Sequence, residues 1–210
     1  MAESASVGIS VKCRIGTHDT MDDMVRDGDR FETLLNFVDT VAAGGKVRRF
    51  TIHARSGILS GLKASDNRSK PPLRHDFVYR LAAERPNLEL TLNGGICSIE
   101  EVDINRARGL EVMVGRWATR SPWALADAQA RKRGRMAVVE DYLAYCQQEL
   151  ESGKEDHLII LSEPLRNLFA GLPNSGEYRR VLSEALRESP RQGGWKRFSS
   201  AVSEALQHLP

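Results

Sequence analysis

Short apolar runs and amphipathic helical segments alternate four times along the first 130 residues, and this alternation constrains the fold most strongly. The apolar runs contain many β-branched residues and have the length of buried strands. They cover residues 7–13, 48–55, 88–95 and 110–116. Between them, apolar residues recur three and four positions apart, as in amphipathic helices. The alternation predicts an α/β fold whose parallel strands are joined by right-handed helical crossovers.

The pattern changes after residue 135, where helical spacing continues without a strand candidate. The last helix before this point is predicted to begin at Ser121 as N-cap, with Pro122 at its first position. The helical stretches that follow are 138–153, 156–173 and 177–189. We therefore predict two domains, an α/β domain over residues 1–135 and a small all-helical domain over residues 136–210.

Composition argues against several classes of protein. The formal net charge of +2 is too small to indicate nucleic-acid binding by itself, so that inference must rest on local clusters. No run of eighteen apolar residues is present, so no membrane span is expected. Cys13, Cys97 and Cys146 form no CxxC pair. We therefore predict neither a metal site nor a disulfide framework, and we expect a reducing compartment.

Each predicted strand ends in polar residues or glycines, at the place where α/β folds hold their binding sites. They are Lys12 and Arg14, His53 and Arg55, Asn93 with Gly94 and Gly95, and Gly115 with Arg116. Taken singly, each has an ordinary explanation, such as a solvated strand end, a structural histidine or a turn with positive φ. Their recurrence at the same end of four strands indicates a binding site. The paired glycines predict either a tight turn or the approach of a ligand phosphate to the backbone.

Five motifs in this order carry a family resemblance. They are VKCRIG (11–16), IHARSGILSGL (52–62), NRSKPPLRHDFVYRL (67–81), LNGGICSIEE (92–101) and VMVGRWATRSPWAL (112–125). With them the chain resembles the tRNA-dihydrouridine synthases, most closely the tRNA-dihydrouridine(20/20a) synthase branch. That resemblance implies an FMN-containing (β/α)₈ TIM barrel followed by a helical tRNA-binding domain. It also implies a cytoplasmic enzyme that reduces the C5–C6 bond of D-loop uridines with NADPH.

The resemblance implies a role for each residue that matches a family motif. Lys12 would contact the isoalloxazine ring and the target base, and His53 would lie beside the flavin. Two loops would hold the FMN phosphate, and their residues are Asn93, Gly94, Gly95, Gly115 and Arg116. Arg14, Arg55 and Arg68 would contact the flipped uracil or the tRNA phosphates. A lysine cation near the ring is also physically reasonable, because it stabilises negative charge there.

Departures from the family pattern set further expectations. The chain begins just before the family's fifth strand, so it is expected to hold only the second half of the barrel, four βα units. The family's Asn-x-Gly-Cys-Pro motif, whose cysteine protonates C5, is absent. Neither Cys13, Cys97 nor Cys146 matches that cysteine, so no catalytic residue is assigned. The acidic insertion at residues 17–30 is longer than the family loop and is expected to be solvated and partly disordered.

A cluster of positive charge follows the last predicted strand. Arg131, Lys132, Arg133 and Arg135 lie within five residues, which we call the basic segment. Such a cluster is either a solvated face or a contact for the phosphate backbone of nucleic acid. Together with the resemblance, it predicts that the basic segment binds tRNA.

Three functions are compatible with these observations. The first is an FMN- and NADPH-dependent tRNA-dihydrouridine synthase, present here without its first half barrel. The second is a non-catalytic tRNA-binding or assembly protein derived from that family. The third is a phosphate-binding barrel enzyme of sugar or nucleotide metabolism, which explains the glycines but not Arg55, Asn67 and Arg68. Since half a barrel leaves open strand edges, we also expect self-association.

Overall fold

The computed structural model describes residues 7–153, 157–188 and 194–209. Its main sheet contains β1 (Ile9–Arg14), β3 (Val47–His53), β5 (Glu89–Asn93) and β6 (Glu111–Met113). These strands are hydrogen-bonded in that order, and all neighbours are parallel. Two short strands, β2 (Thr17–His18) and β4 (Gly57–Ile58), pair with each other. The predicted α/β fold with a parallel sheet is therefore confirmed.

Helices cover one face of the main sheet. The helices of this part of the chain are α1 (Met21–Asp27), α2 (Phe31–Ala42), α3 (His75–Glu84) and α4 (Ile99–Ala107). In α2 and α3 the apolar residues recur at helical spacing, so each helix buries one stripe. These stripes and the side of the sheet that faces the helices form one core. It includes Leu34, Val38, Phe50, Ile52, Val78, Leu81, Leu90 and Leu92. Burying each such side chain contributes about 1.5–3 kcal/mol.

The opposite face of the sheet is polar, and we call it the open face. It is formed by the alternate strand positions Lys12, Arg49, Thr51, Glu89, Thr91 and Glu111, which are exposed or half-buried. Successive side chains of a strand point to opposite faces, so the same strands that bury Phe50 and Ile52 present Arg49 and Thr51 here.

Strand β6 is shorter than predicted. Only Glu111–Met113 pair, against β5, whereas the sequence pattern predicted a strand over 110–116. Within the described residues, β6 has a partner on one side only, so fewer hydrogen bonds extend it.

The acidic insertion at 17–30 is ordered, so the expectation of partial disorder was wrong. It contributes β2 and α1, and Met24 of α1 is buried. A capping box starts α1: the Thr20 hydroxyl accepts from the Asp23 amide at 3.1 Å, and the Asp23 carboxylate accepts from the Thr20 amide at 3.0 Å. These local bonds stabilise a segment whose charge composition alone indicated disorder.

The chain divides into two compact units, Met1–Gly115 and Arg116–Pro210. In the second unit the structure describes α5 (Arg116–Arg120), α6 (Ala128–Glu151), α7 (Leu158–Arg166), α8 (Ser175–Glu188) and α9 (Trp195–Gln207). Two ends of the predicted helical stretches, residues 156 and 189, lie outside the described residues. Compactness places residues 116–135 with these helices, whereas the sequence pattern grouped them with the strands. The physical reason is that Trp123 packs against the helical core, which contains Tyr178, Leu182 and Phe198.

The helix predicted to begin at Ser121 begins later. Residues Pro122–Leu125 form a 3₁₀ helix, and the Ser121 side chain makes no capping hydrogen bond. Asp127 caps α6 instead, since its carboxylate accepts from the Ala130 amide at 2.7 Å. Among all described helices, none combines the length and the apolar character that crossing a membrane requires.

Candidate functional site

Strand register brings the predicted strand-end residues into rows. Arg14 pairs with His53, His53 with Asn93, and Asn93 with Met113, so these four positions form one row across the carboxyl ends of the strands. Lys12 lies two residues before Arg14 in β1 and pairs with Thr51. Because positions two apart in a strand share a face, Lys12 lies on the same face as this row. The structure thus places together residues that the sequence predicted separately.

The glycine turn after β5 packs tightly against two side chains. Gly94 has φ of 109° and Gly95 has φ of 77°, a conformation that other residues rarely adopt. A Cβ on Gly94 would lie 2.5 Å from Cδ2 of His53, and one on Gly95 would lie 2.4 Å from Cδ1 of Leu73. Both glycines are therefore required by the turn itself, whether or not a phosphate binds there.

Hydrogen bonds fix this turn to its neighbours. Nε2 of His75 donates to the Gly94 carbonyl at 2.8 Å. Nδ2 of Asn93 donates to the Met113 carbonyl at 2.8 Å, which ties the end of β5 to the end of β6. The Ala54 amide donates to the Asn93 carbonyl at 2.9 Å. The turn is thus held from both adjacent strands before any ligand is present.

The beginning of α4 is capped by its own residues. The Ser98 hydroxyl accepts from the Glu101 amide at 3.1 Å, and the Glu101 carboxylate accepts from the Cys97 amide at 2.6 Å. Glu100 and Glu101 also place negative charge in the first turn. Because an anion would meet these carboxylates, the glycine turn is a better phosphate contact than the amino end of α4.

Arg14 holds a loop. Its Nη1 donates to the Ser56 carbonyl at 2.7 Å and to the Asn67 carbonyl at 2.9 Å. The Asn67 side chain in turn accepts from the Ile58 amide at 3.0 Å and donates to the Ile58 carbonyl. Burial, with a smaller effect of the nearby Arg68 charge, lowers the pKa of Arg14. The structure therefore gives Arg14 an internal role, in addition to the substrate contact that the resemblance implies.

The other two predicted substrate arginines, Arg55 and Arg68, differ in how much of the side chain is exposed to solvent. Arg55 donates to the Pro71 carbonyl and is half-buried. Arg68 ends a short 3₁₀ helix, Asp66–Arg68, and is exposed. Of the three arginines, Arg68 offers its side chain to solvent most fully.

Sequence reasoning missed Asp29, which lies at the end of the acidic insertion. Its side chain is only 3% exposed, it accepts a hydrogen bond from the Ser56 hydroxyl, and it lies 3.3 Å from Nε2 of His18. It therefore fixes Ser56, the residue whose carbonyl Arg14 binds. No sequence signal separates Asp29 from the other acidic residues around it, because its importance depends on a contact with a residue 27 positions away.

The cysteines occupy different environments. Burial raises the pKa of Cys13 to about 11 and that of Cys146 to about 11. Both thiols are therefore protonated near neutral pH, and both pack in the interior. Cys97 is exposed, directly after the glycine turn. Among the residues that the structure describes, no group of three histidine, cysteine or acidic side chains is placed to hold a metal ion.

The basic segment is partly engaged within the second unit. Arg131 donates to the carbonyls of Ala126 at 2.9 Å and Ala124 at 3.3 Å. Arg133 forms an exposed ion pair with Asp141 at 2.7 Å, and such pairs contribute little to stability. The guanidinium of Arg135 stacks on Trp123 at 4.9 Å. Lys132 is exposed, and the charges of Arg131 and Arg133 also remain accessible to a ligand.

Comparison with known proteins identifies the family. Residues 1–204 match the family model described as Dihydrouridine synthase (Dus). The chain belongs to the dihydrouridine synthase family. This confirms the resemblance that the five motifs predicted.

Several relatives share the name tRNA-dihydrouridine(20/20a) synthase. That of Vibrio cholerae serotype O1 is 33% identical, and the match covers 100% of this chain and 62% of the relative. That of Escherichia coli strain K12 is 36% identical over 88% of this chain and 52% of the relative. That of Xanthomonas campestris pv. campestris is 34% identical over 96% of this chain and 58% of the relative. The chain thus spans little more than half the length of these members of the dihydrouridine synthase family.

Proposed function

We propose that this chain is the FMN- and tRNA-binding part of a tRNA-dihydrouridine synthase, an oxidoreductase that converts tRNA uridine to 5,6-dihydrouridine with NADPH as reductant. The similar relatives carry that enzyme name and are longer than this chain. In this proposal the four parallel strands and their helices are the second half of a (β/α)₈ barrel, and residues 136–210 bind tRNA. The observation that carries it is the placement of Lys12, His53 and Asn93 on one face beside the glycine turn.

The strand ends fit FMN. The turn at Gly94 and Gly95 has no space for a Cβ on the side of His53 and Leu73, and its bare backbone permits close approach of a phosphate. Gly115 follows β6, and Arg116, directly after it in the chain, supplies a guanidinium suited to a bidentate phosphate contact. When bound, FMN would supply the electrons that reduce the C5–C6 bond of uracil.

Lys12, His53 and Asn93 would each contribute a different effect. Lys12 is exposed on the open face, where its cation would stabilise negative charge on the ring or the base. His53 is 9% exposed and packs against Gly94, so its imidazole edge is held in a fixed position. Asn93 bridges the ends of β5 and β6, so it would keep the glycine turn and Gly115 correctly spaced.

FMN binding tests this proposal directly. Calorimetry with FMN and riboflavin is expected to show much weaker binding of riboflavin, which lacks the phosphate. Arg116→Ala is expected to weaken FMN binding by about one to two orders of magnitude, since a charge-assisted bidentate contact contributes roughly 1.5–3 kcal/mol. Arg120→Ala, the same change at the other end of α5, is the matched control and should leave affinity unchanged. Equal affinities for FMN and riboflavin would mean that Gly94 and Gly95 serve only the turn.

A second candidate, a non-catalytic tRNA-binding or assembly protein, is favoured by the cysteines. Cys13 and Cys146 are interior thiols with raised pKa values, and Cys97 follows the glycine turn rather than forming an Asn-x-Gly-Cys-Pro motif. We therefore expect the isolated chain to form dihydrouridine slowly or not at all when supplied with FMN, NADPH and unmodified tRNA. Mass spectrometry of the tRNA separates the two candidates, because efficient formation would exclude the non-catalytic one. The family match favours both over a sugar- or nucleotide-metabolising barrel.

A further inference from the structure

The orientation of the peptide group between Gly94 and Gly95 decides what the glycine turn can bind. In a trans peptide the C=O and the N–H point in opposite directions, and no described peptide bond is cis. Because both residues are glycines, this peptide could rotate by about half a turn without forcing a Cβ into a forbidden conformation. Glycine therefore permits both orientations, and another group must select one of them.

His75 selects the orientation of this peptide group. Its Nε2 lies 2.8 Å from the Gly94 carbonyl oxygen, and since a carbonyl oxygen only accepts, Nε2 carries the ring hydrogen. The Gly94 carbonyl therefore points toward α3, which begins at His75. The Gly95 amide, on the other side of the same peptide group, points away from α3.

The preceding peptide group is fixed in a similar way. The Asn93 carbonyl accepts from the Ala54 amide at 2.9 Å, directly after the end of β3. Since β5 lies between β3 and β6, the Gly94 amide points away from β3, toward the side of β6. Successive backbone amides in a turn form a concavity that binds anions. The two hydrogen bonds thus direct two successive amides away from the protein groups that hold their carbonyl partners.

The imidazole of His75 is itself held in place. It packs edge to face on the ring of Tyr79, one turn later in α3, with ring centroids 6.3 Å apart. The Tyr79 hydroxyl donates to Oδ1 of Asn105 at 2.8 Å, and Asn105 is only 4% exposed. The Asn105 carbonyl accepts from the Leu110 amide at 3.2 Å, just before β6. A ring held by these contacts can keep a carbonyl in one orientation.

We propose that His75 is a positioning residue of the phosphate site, which directs the Gly95 amide toward the phosphate of FMN by holding the Gly94 carbonyl. This inference rests on the proposed function, because it takes FMN as the ligand of the glycine turn. His75 does not donate to the phosphate from Nε2, since the carbonyl uses that hydrogen. It differs in this from Lys12 and Arg116, whose charges would act on the cofactor directly.

Calorimetry with FMN and riboflavin on three variants of the full chain tests the proposal. His75→Phe keeps a ring beside Tyr79 but cannot donate, so FMN should bind about tenfold more weakly while riboflavin binding stays the same. His75→Gln can donate from its own Nε2 and should restore the parent's preference for FMN. Tyr79→Phe is the matched control, because it removes a hydrogen bond elsewhere in α3 and keeps the ring. It should lower stability without changing that preference.

NMR of the unaltered chain gives a second measurement, which does not require a variant to fold. The ring nitrogen signals of the ligand-free chain should show that His75 carries a hydrogen on Nε2. The amide signal of Gly95 should shift when FMN is added, and much less when riboflavin is added.

The outcomes separate this inference from the proposed function. A folded His75→Phe variant that keeps the parent's preference for FMN would overturn the inference, as would a His75 hydrogen on Nδ1 alone. A His75→Gln variant no better than His75→Phe, or an equal loss of preference in Tyr79→Phe, would overturn it too. In each case a parent chain that prefers FMN to riboflavin leaves the proposed function standing. A parent chain that binds both equally would overturn the two together.

Discussion

The glycine turn after β5 and the basic segment at 131–135 were both predicted as binding elements, yet the structure treats them differently. In the turn, Gly94 and Gly95 have positive φ, lie against His53 and Leu73, and are held by bonds from two strands. In the basic segment, most side chains lie at the surface, and the bonds they form are exposed to solvent. Substituting a residue of the glycine turn is therefore expected to alter the fold as well as ligand binding. Substituting a residue of the basic segment is expected to alter ligand binding alone.

The largest effect is expected where this contrast is strongest, at the turn. Gly94→Ala forces a Cβ into an unfavourable φ and against His53, so it should destabilise the protein by about 2–5 kcal/mol. Urea unfolding measures this. Gly44→Ala is the matched control, because nothing lies within 4 Å of a Cβ there and its φ is not positive. A Gly94→Ala variant as stable as the parent would show that the turn rearranges easily.

The hydrogen bonds from Arg14 to the carbonyls of Ser56 and Asn67 allow a test of whether a predicted substrate residue also stabilises the fold. Arg14→Gln and Asn67→Ala should each lower the free energy of unfolding by about 1.5–3 kcal/mol, because each removes partly buried hydrogen bonds of one network. The double variant should be non-additive by about 1 kcal/mol, as for residues that share such a network. Arg68→Gln, at an exposed position, should change stability by no more than about 0.5 kcal/mol. Unchanged stability of Arg14→Gln would mean that Arg14 serves substrate alone.

The buried thiols of Cys13 and Cys146 are expected to make the stability of the fold depend on pH. Their folded pKa values of about 11 exceed the ordinary value of 9.0, so the unfolded chain releases these protons first as pH rises. Stability is therefore fully present below pH 9 and falls between pH 9 and 11, by about 1 kcal/mol for each thiol at pH 10. Unfolding curves at pH 8 and pH 10 measure the decrease. Cys146→Ala should reduce it, because that variant lacks one of the two buried thiols.

The basic segment is expected to show the smallest effect on stability and a clear effect on tRNA binding. Replacing Arg131, Lys132 and Arg133 by Ala should weaken binding to tRNA of any sequence. The dependence of log K on log salt should flatten by about 0.7–0.9 for each tRNA phosphate that the variant no longer neutralises. Filter binding at several salt concentrations measures both quantities. An unchanged slope with unchanged affinity would assign these charges to a solvated face.

Much of the fold could be predicted because it depends on near neighbours in the chain. The spacing of apolar residues predicts which face of an element is buried. It has period two in β1, β3 and β5, and helical period in α2 and α3. Less of the candidate site could be predicted. The row of Arg14, His53 and Asn93 follows from strand ends, but the engagement of Arg14 by Ser56 and Asn67 involves residues 42 and 53 positions away.

The sequence by itself determined the parallel α/β pattern, the family and the residue types that end each strand. The tertiary structure alone decided which residues form contacts inside the protein. Arg14 donates to the Asn67 carbonyl, Asp29 accepts from the Ser56 hydroxyl, and Gly94 packs against His53. It also decided that the insertion at 17–30 is ordered and that residues 116–135 pack with the helices. The reason is physical. Periodicity and capping are encoded within one or two turns of chain, whereas hydrogen bonds and close packing between distant segments exist only once strand register and loop paths are set.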